Sequence, residues 1–204
     1  RFVRRLEVRV ENHAENGRST KSFLEEGRLE TIRERMQPGD FLFIQFGHND
    51  EKAEDPARYT SPEDTFRGYL AVFVKAAREK GAYPVLITPL TRRCYRDPQA
   101  KYSHGPYAAA MRELARELCV PLIDLTAESE KLVDRMGEDA KQLYMNLPAG
   151  RFSHYPDGLE DNTHLQPAGA LAFAGLVAEG LQALGGVYAA LLSDEACQWM
   201  RERA

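Results

Sequence analysis

A strand that is apolar on both faces constrains the fold of this chain more than any other feature. Residues 41–46 read Phe-Leu-Phe-Ile-Gln-Phe, with Gln45 as the only polar member. Such a run, directly after the turn at Pro38-Gly39, is typical of a central strand in a parallel sheet. Gly47 ends the run, and polar residues follow as far as Asp50. The segment predicts a buried strand that delivers polar side chains to one edge of a sheet.

Further strands and helices alternate along the chain. Before the central strand, Leu6, Val8 and Val10 alternate with charged residues, which indicates a peripheral strand. The other predicted elements are a helix capped by Ser19 or Thr20 and continued to Met36, a helix that starts at Ser61-Pro62-Glu63-Asp64 and stops at Gly81, a strand over 84–88, a helix over 107–118, a strand over 121–125, a short helix over 131–136, a polar loop from Gly137 to Pro167, and a helix over 171–184. This alternation predicts the α/β class, with helices on both faces of a parallel sheet, in one domain spanning 1–204.

The composition of the chain limits which partners and which cellular compartment are expected. The 204 residues are 43% hydrophobic, and the net charge of −4 gives no basic surface for nucleic acid. No apolar run approaches the ~20 residues of a membrane span, so neither nucleic acid nor a membrane is expected as a partner. Residues 1–7 lack the apolar stretch of a signal peptide, which makes the cytoplasm the default location. Secretion is the alternative if a signal peptide precedes Arg1, and the oligomeric state is left open.

Several functions lose support because their motifs are missing. The chain has no Gly-x-Ser-x-Gly elbow, no phosphate-binding Walker loop, no Gly-x-Gly-x-x-Gly and no His-Glu-x-x-His. Cys94, Cys119 and Cys197 form no Cys-x-x-Cys pair, so neither a disulfide framework nor a zinc ribbon is indicated.

Asp161 and His164 are candidates for catalysis by a general base. A carboxylate bound to one nitrogen of an imidazole holds the ring in one tautomer, as a base requires. A spacing of three residues on a helical turn would put both side chains on one face. The same residues also fit a solvated surface ahead of a helix that is capped by Asn162 or Thr163.

Asn49 and Gly17 are candidates for an oxyanion hole. An amide side chain at the end of a buried strand, or a backbone N–H beside a glycine, can donate to a developing oxyanion. The alternatives are a loop cap for Asn49 and a plain turn for Gly17. His48 and Asp50, which flank the amide, are expected to be structural.

The order of these motifs resembles a known family. Asn16-Gly17-Arg18-Ser19, Gly47-His48-Asn49-Asp50 and Asp161-Asn162-Thr163-His164 resemble three conserved blocks of the SGNH (GDSL) hydrolases, with wording closest to the rhamnogalacturonan acetylesterase branch. The resemblance extends from about Val8 to Leu192. It implies a flavodoxin-like three-layer sandwich that removes acetyl groups from pectic rhamnogalacturonan or a related carbohydrate, without a metal or organic cofactor.

The resemblance also implies a role for each candidate. His164 would be the general base and Asp161 would orient it, while Asn49 and the N–H of Gly17 would line the oxyanion hole. The family's nucleophile is the serine of a Gly-Asp-Ser block that ends the first strand, and this block does not occur in the sequence. We therefore expect an N-terminally incomplete chain with its nucleophile and first strand upstream, inactive as it stands. Ser19 is expected to cap a helix.

Four alternatives remain open. Arg92-Arg93 could contact a uronic acid or lie in a solvated loop, and the side chains of Tyr95, Tyr102, His104 and Tyr107 could form a wall for sugar stacking or ordinary surface. A metal at His48, Asp50 and His164 is a third, less favoured reading, because Asp161 already accounts for His164. A non-catalytic carbohydrate-binding relative without a nucleophile is the alternative to the esterase.

Overall fold

The structure is a computed structural model that describes residues 2–4, 7–93 and 104–201. Contacts group these residues into two compact units. The first, called the sheet unit here, contains residues 10–89 and 104–124. The second, called the hairpin unit, contains residues 2–4, 7–9, 90–93 and 125–201. The single domain expected for 1–204 stays a prediction.

The sheet unit contains a parallel sheet whose strands lie in the order β1-β2-β3. Ile44 of β1 pairs with Leu86 of β2, and Leu86 pairs with Leu122 of β3. This arrangement confirms the α/β class with a parallel sheet flanked by helices. The elements are α1 (Thr20–Glu25), α2 (Arg28–Arg35), β1 (Phe41–Gln45), α3 (Thr65–Glu79), β2 (Tyr83–Ile87), α4 (Gly105–Glu117) and β3 (Leu122–Ile123).

Aromatic packing fixes the end of β1, where the polar segment begins. Phe46 packs against Phe23 of α1 and Phe73 of α3, with ring centroids 5.6 and 5.2 Å apart. Phe73 belongs to the apolar face of α3, which is buried in the core that covers β1 and β2. Burial of each such side chain stabilises the fold by roughly 1.5–3 kcal/mol. The core therefore holds the edge of the sheet from which Gly47 to Asp50 project.

Helix α3 begins at Thr65 rather than at the predicted Ser61–Asp64 start. The N–H of Ser61 donates to the hydroxyl of Thr65 at 2.8 Å, and the carbonyl of Ser61 accepts the N–H of Phe66. These bonds close a turn over residues 62–64, so the predicted cap residues lie ahead of the helix. The predicted stop is confirmed, since α3 ends at Glu79 and Gly81 follows with φ +69°.

The hairpin unit contains an antiparallel strand pair where a polar loop is predicted. That prediction is wrong because apolar side chains anchor the segment. Tyr144 is fully buried, and its hydroxyl donates to the carbonyl of Thr91 at 2.7 Å. The predicted strand over 121–125 is also shorter, because Leu125 starts a helix. The elements are α5 (Leu125–Met136), a 3₁₀-helix (Gly137–Leu143), β4 (Tyr144–Leu147), β5 (Leu159–Leu165), α6 (Pro167–Leu184), α7 (Gly186–Ala189) and α8 (Asp194–Arg201).

The strand predicted around Leu6, Val8 and Val10 is wrong for the described residues. The N–H of Val8 donates to the carbonyl of Arg4 at 2.7 Å, as in a turn, and Val10 is 72% exposed. Alternation alone does not make a strand, because a strand needs a neighbour for its backbone groups and a core for one face. Leu6 lies outside the described residues.

Helix α6 is the one helix in the described part of the chain with the length and composition to cross a membrane. One face packs within the hairpin unit. Phe173 lies 6.0 Å from the ring of Tyr144, and a Cβ at Gly175 would come within 2.3 Å of the Trp199 ring. Part of the apolar surface of α6 is therefore used for packing inside this unit.

Candidate active site

The segment after β1 is organised around the buried carboxylate of Asp50. It accepts the N–H of Gly47 at 3.2 Å, the N–H of Thr20 at 3.0 Å and the hydroxyls of Thr20 and Thr60. Burial raises the pKa of Asp50, although these hydrogen bonds oppose the shift. Asp50 therefore ties the end of β1 to the start of α1 and to the chain at Thr60, which confirms its expected structural role.

Asn49, one of the two predicted oxyanion residues, contacts the turn that carries the other, Gly17. The amide Nδ2 of Asn49 donates to the carbonyl of Arg18 at 3.2 Å, and its Oδ1 accepts from Arg58 at 3.2 Å. Gly17 has φ +79°, which favours glycine, and a Cβ there would meet no atom within 4 Å. Its N–H makes no hydrogen bond to any described residue. The site thus brings together an open backbone donor and an oriented amide.

Arg18 holds the turn that carries Gly17. Its guanidinium donates to the carbonyl of Asn16 at 2.9 Å and to both carboxylate oxygens of Glu26. Ser19 comes next and caps α1, in a reciprocal pair of hydrogen bonds with Ser22. The cap predicted for Ser19 is confirmed. The role of Arg18 has no signal in the sequence, because its carboxylate partner lies eight residues away.

His104 and Tyr107, two residues of the proposed sugar-stacking wall, belong to the interior of the sheet unit, and His48 packs against His104. The rings of His48 and His104 lie 4.1 Å apart, and Nδ1 of His104 is 2.8 Å from a carboxylate oxygen of Glu51. Tyr107 donates its hydroxyl to the carbonyls of Asp50 and Thr60. Because His104 and Tyr107 are only 2% and 4% exposed, they cannot stack on a sugar. Tyr95 and Tyr102 lie outside the described residues.

Asp161 and His164 form a close pair in the hairpin unit. Oδ2 of Asp161 lies 2.6 Å from Nδ1 of His164, and an ionised carboxylate only accepts, so Nδ1 carries the proton. This tautomer leaves Nε2 as the basic nitrogen. The imidazole side chain is 61% exposed, whereas that of Asp161 is 24% exposed. The pair has the chemistry of an oriented general base that solvent or a substrate can reach.

The geometry that brings this pair together is a bulged strand, and the predicted helical turn is wrong. Tyr144 of β4 pairs with Leu165, but Asn146 pairs with Glu160, so residues 161–164 bulge from β5. Oδ1 of Asp161 accepts the N–H groups of residues 163 and 164 at 2.7 and 2.9 Å. These bonds fold the bulge back toward the carboxylate, as in an Asx turn.

The same bonds set the charge of Asp161. Burial alone would raise its pKa, but the N–H and imidazole of His164 and the N–H of Thr163 together lower it. Asp161 is therefore an ionised partner for the imidazole at neutral pH.

Arg92 and Arg93 contact the bulge, a role that neither prediction for this pair included. The backbone N–H of Arg93 donates to the carbonyl of Asn162 at 2.9 Å, and its guanidinium contacts Glu160 at 3.3 Å. Nε of Arg92 donates to the hydroxyl of Thr163 at 3.2 Å. The side chain of Arg93 is only 11% exposed, so it lies in neither a solvated loop nor a substrate-facing surface.

Two of the three residues considered as metal ligands are bound to other groups. The carboxylate of Asp50 accepts four hydrogen bonds, and His164 is bound to Asp161. Across residues 2–4, 7–93 and 104–201, no group of three or more His, Cys, Asp or Glu side chains is arranged to hold a metal ion.

Comparison with known proteins places this chain in a family. Residues 1–172 match the model of the GDSL-like lipase/acylhydrolase family. The chain is 48% identical to rhamnogalacturonan acetylesterase RhgT of Bacillus subtilis (strain 168) over 181 residues, which are 87% of this chain and 76% of RhgT. It is 40% identical to YesY of the same strain, which is named a probable rhamnogalacturonan acetylesterase, over 87% of this chain and 78% of YesY.

Solved structures show the same fold. The crystal structure of the Bacillus subtilis protein YXIM matches with a TM-score of 0.73 and 26% identity, over 90% of this chain and 48% of that chain. The present chain thus spans about half the length of that protein. Axe2, an acetylxylan esterase from Geobacillus stearothermophilus, matches with a TM-score of 0.58 and 16% identity, over 80% of this chain and 68% of Axe2. The chain belongs to the GDSL-like lipase/acylhydrolase family, a family of carboxylic ester hydrolases.

Proposed function

We propose that this protein is a carbohydrate O-acetylesterase that removes acetyl groups from rhamnogalacturonan, a pectic polymer, or from a related polysaccharide. The observation that carries the proposal is the hydrogen bond of 2.6 Å between Oδ2 of Asp161 and Nδ1 of the accessible His164. The 48% identity to RhgT supports the choice of substrate.

The chemistry follows from the atoms at each site. Nε2 of His164 takes the proton from a serine hydroxyl as the serine oxygen bonds to the acetyl carbon. The carbonyl oxygen becomes an oxyanion, which the N–H of Gly17 and Nδ2 of Asn49 stabilise by donation. The ester bond then breaks, and the sugar oxygen leaves with the proton held by His164. A water molecule repeats the sequence on the acyl-enzyme and releases acetate.

We further propose that the nucleophile is the serine of a Gly-Asp-Ser block N-terminal to Arg1. The serines near the candidate residues already have other functions. Ser19 and Ser22 cap α1, and Ser129 accepts the N–H of Thr91 while donating to the carbonyl of Thr126. Deprotonation of Ser129 would break the hydrogen bond that it donates, and the oxygen of Ser19 is already engaged as the acceptor in the cap of α1.

Acetate release from three polymers tests this function. The protein expressed from its complete reading frame should release acetate from acetylated rhamnogalacturonan faster than from acetylated xylan, and not from chemically deacetylated rhamnogalacturonan. Binding of the acetylated polymer without acetate release would instead identify a non-catalytic carbohydrate-binding relative. Equal rates on both acetylated polymers would remove the preference for pectin but keep the esterase.

A further inference from the structure

The oxyanion amide of Asn49 has a cationic partner that the proposed function does not use. The guanidinium of Arg58 donates to Oδ1 of Asn49 at 3.2 Å, and its Nε donates to the carboxylate of Asp55 at 2.6 Å. The side chain of Arg58 is 29% exposed, so most of it lies against the protein. All three residues belong to the sheet unit.

The two partners of the Asn49 amide permit only one orientation of it. A guanidinium has donors and no acceptor, and the carbonyl of Arg18 has no donor. Oδ1 must therefore face Arg58, and Nδ2 must face the turn of Gly17 and Arg18. Rotating the amide by 180° would bring two donors together on one side and two acceptors together on the other. That rotation would also remove the N–H groups from the side on which an oxyanion needs them.

The segment that carries Arg58 is anchored on both sides of it, and on the N-terminal side Nζ of Lys21 in α1 donates to the carbonyl of Pro56 at 2.7 Å. Thr60 donates its N–H to the carbonyl of Asp50 at 3.0 Å, and the hydroxyl of Tyr107 donates to the carbonyls of Asp50 and Thr60. Asp55 accepts the N–H of Ala57 at 3.0 Å as well as Nε of Arg58. Arg58 is thus held by the fold before any substrate binds, as preorganised electrostatic catalysis requires.

We propose that Arg58 is a positioning residue for the esterase reaction: it locks the Asn49 amide in its donating orientation and polarises it toward the oxyanion. A cation at the carbonyl oxygen of an amide draws electron density from the N–H groups, which makes them stronger donors. The inference rests on the proposed function, because it assigns Asn49 to the oxyanion hole. Asp55 acts one step further away by orienting Arg58.

Three variants of the complete protein test this role with p-nitrophenyl acetate. Arg58→Met removes the donor and the charge at similar length, and we expect kcat to fall about tenfold with KM nearly unchanged, less than for loss of a direct donor. Arg58→Lys keeps a cationic donor and should restore most of the loss. Arg67→Met is the matched control, because Arg67 also binds carboxylates, those of Glu113 and Glu117, but on a helix surface. An Arg58→Met enzyme with the kcat of the wild type would overturn the proposal.

A double-mutant cycle separates positioning from general loss of structure. If Arg58 acts through the amide, Arg58→Met should cost nothing further in an Asn49→Ala background. Multiplicative losses in the double variant would mean that Arg58 acts independently of Asn49, which contradicts the proposal.

The side-chain amide signals of Asn49 in NMR provide a readout that does not depend on activity. In Arg58→Met the Nδ2 protons should move upfield, while in Arg67→Met they should stay in place. Unmoved signals in Arg58→Met would overturn the inference. If the wild type hydrolyses no ester, the proposed function fails, and these shifts still decide whether Arg58 polarises the amide.

Discussion

The proposed reaction uses two groups of residues, called the oxyanion half and the base half here, and the fold holds them in different ways. In the sheet unit, Asn49 and Gly17 depend on a network that joins α1, β1 and the chain near Thr60 around the buried Asp50. In the hairpin unit, Asp161 and His164 are three residues apart and hold each other on one bulge of β5. The oxyanion half is assembled from distant segments, whereas the base half is local and exposed.

This difference fits what the proposed role of each half requires. Oxyanion donors stabilise a transition state only if they are already aimed when charge develops, so they need a rigid surrounding. A general base must reach a proton, and it needs an accessible nitrogen and a fixed tautomer more than burial. Substitutions in the base half should therefore affect chemistry and leave the fold intact. Substitutions beneath the oxyanion half should affect both.

The largest expected effect is the loss of the base. In the complete enzyme, His164→Ala should lower kcat for p-nitrophenyl acetate by about 10⁴-fold or more, and Asp161→Asn should lower it by no more than that. The thermal midpoint of His164→Ala should stay near that of the wild type, because the imidazole is exposed. His154→Ala, at another exposed histidine between β4 and β5, is the control. A fully active His164→Ala enzyme would show that His164 is not the general base.

Loss of the oxyanion amide should come second. Asn49→Ala should lower kcat by about 10²–10³-fold with KM nearly unchanged, since a donor aimed at the transition state contributes little to ground-state binding. Initial-rate kinetics over a range of substrate concentrations separate the two constants. If KM rises while kcat holds, Asn49 is a substrate contact instead.

A change beneath the oxyanion half should lower stability. Thr20→Val removes one hydroxyl donor from the buried carboxylate of Asp50, and we expect the free energy of unfolding to fall by about 1–3 kcal/mol. Thr31→Val, on the exposed face of α2, is the control, with an expected change within about 0.5 kcal/mol. Urea unfolding of both variants measures the difference. Equal stabilities would show that the Asp50 network does not hold this half together.

The smallest expected effect is a difference between the pKa values of Asp50 and Asp161. The pKa of Asp50 should lie above the ordinary value of 3.8 and that of Asp161 below it, as carboxyl ¹³C NMR would show. The stability that Asp161 contributes is present above 3.8 and is lost as the pH falls through its lowered pKa. For Asp50 the sign is opposite: its contribution is present below 3.8 and is lost as the pH rises through its raised pKa. A reversed order of the two values would contradict the contrast between the halves.

The sequence predicts the local parts of this molecule well and the long-range parts poorly. The Ser19 cap and the stop at Gly81 follow from short patterns, and the structure agrees at both. The apolar run at 41–46 correctly predicts a parallel strand, but its burial as a central strand is wrong for the described residues. Strand β1 is at the end of the order β1-β2-β3, only Ile44 of this run is buried, and Phe43 is 44% exposed. The bulge at 161–164 does not follow from spacing, because it depends on how β4 pairs with β5. The contacts of Arg58 with Asn49 and of Arg92 with Thr163 join residues that no periodicity links. Such partners become visible only when the chain is folded.

Covalent labelling of the nucleophile tests the central claim most directly. The complete protein is treated with a serine-directed fluorophosphonate, and the modified residue is mapped by peptide mass spectrometry. We expect a single adduct on the serine of a Gly-Asp-Ser block N-terminal to Arg1, formed far more slowly in His164→Ala because the base is gone. An adduct on Ser19 or another serine of these 204 residues, or equally fast labelling without His164, would contradict the account.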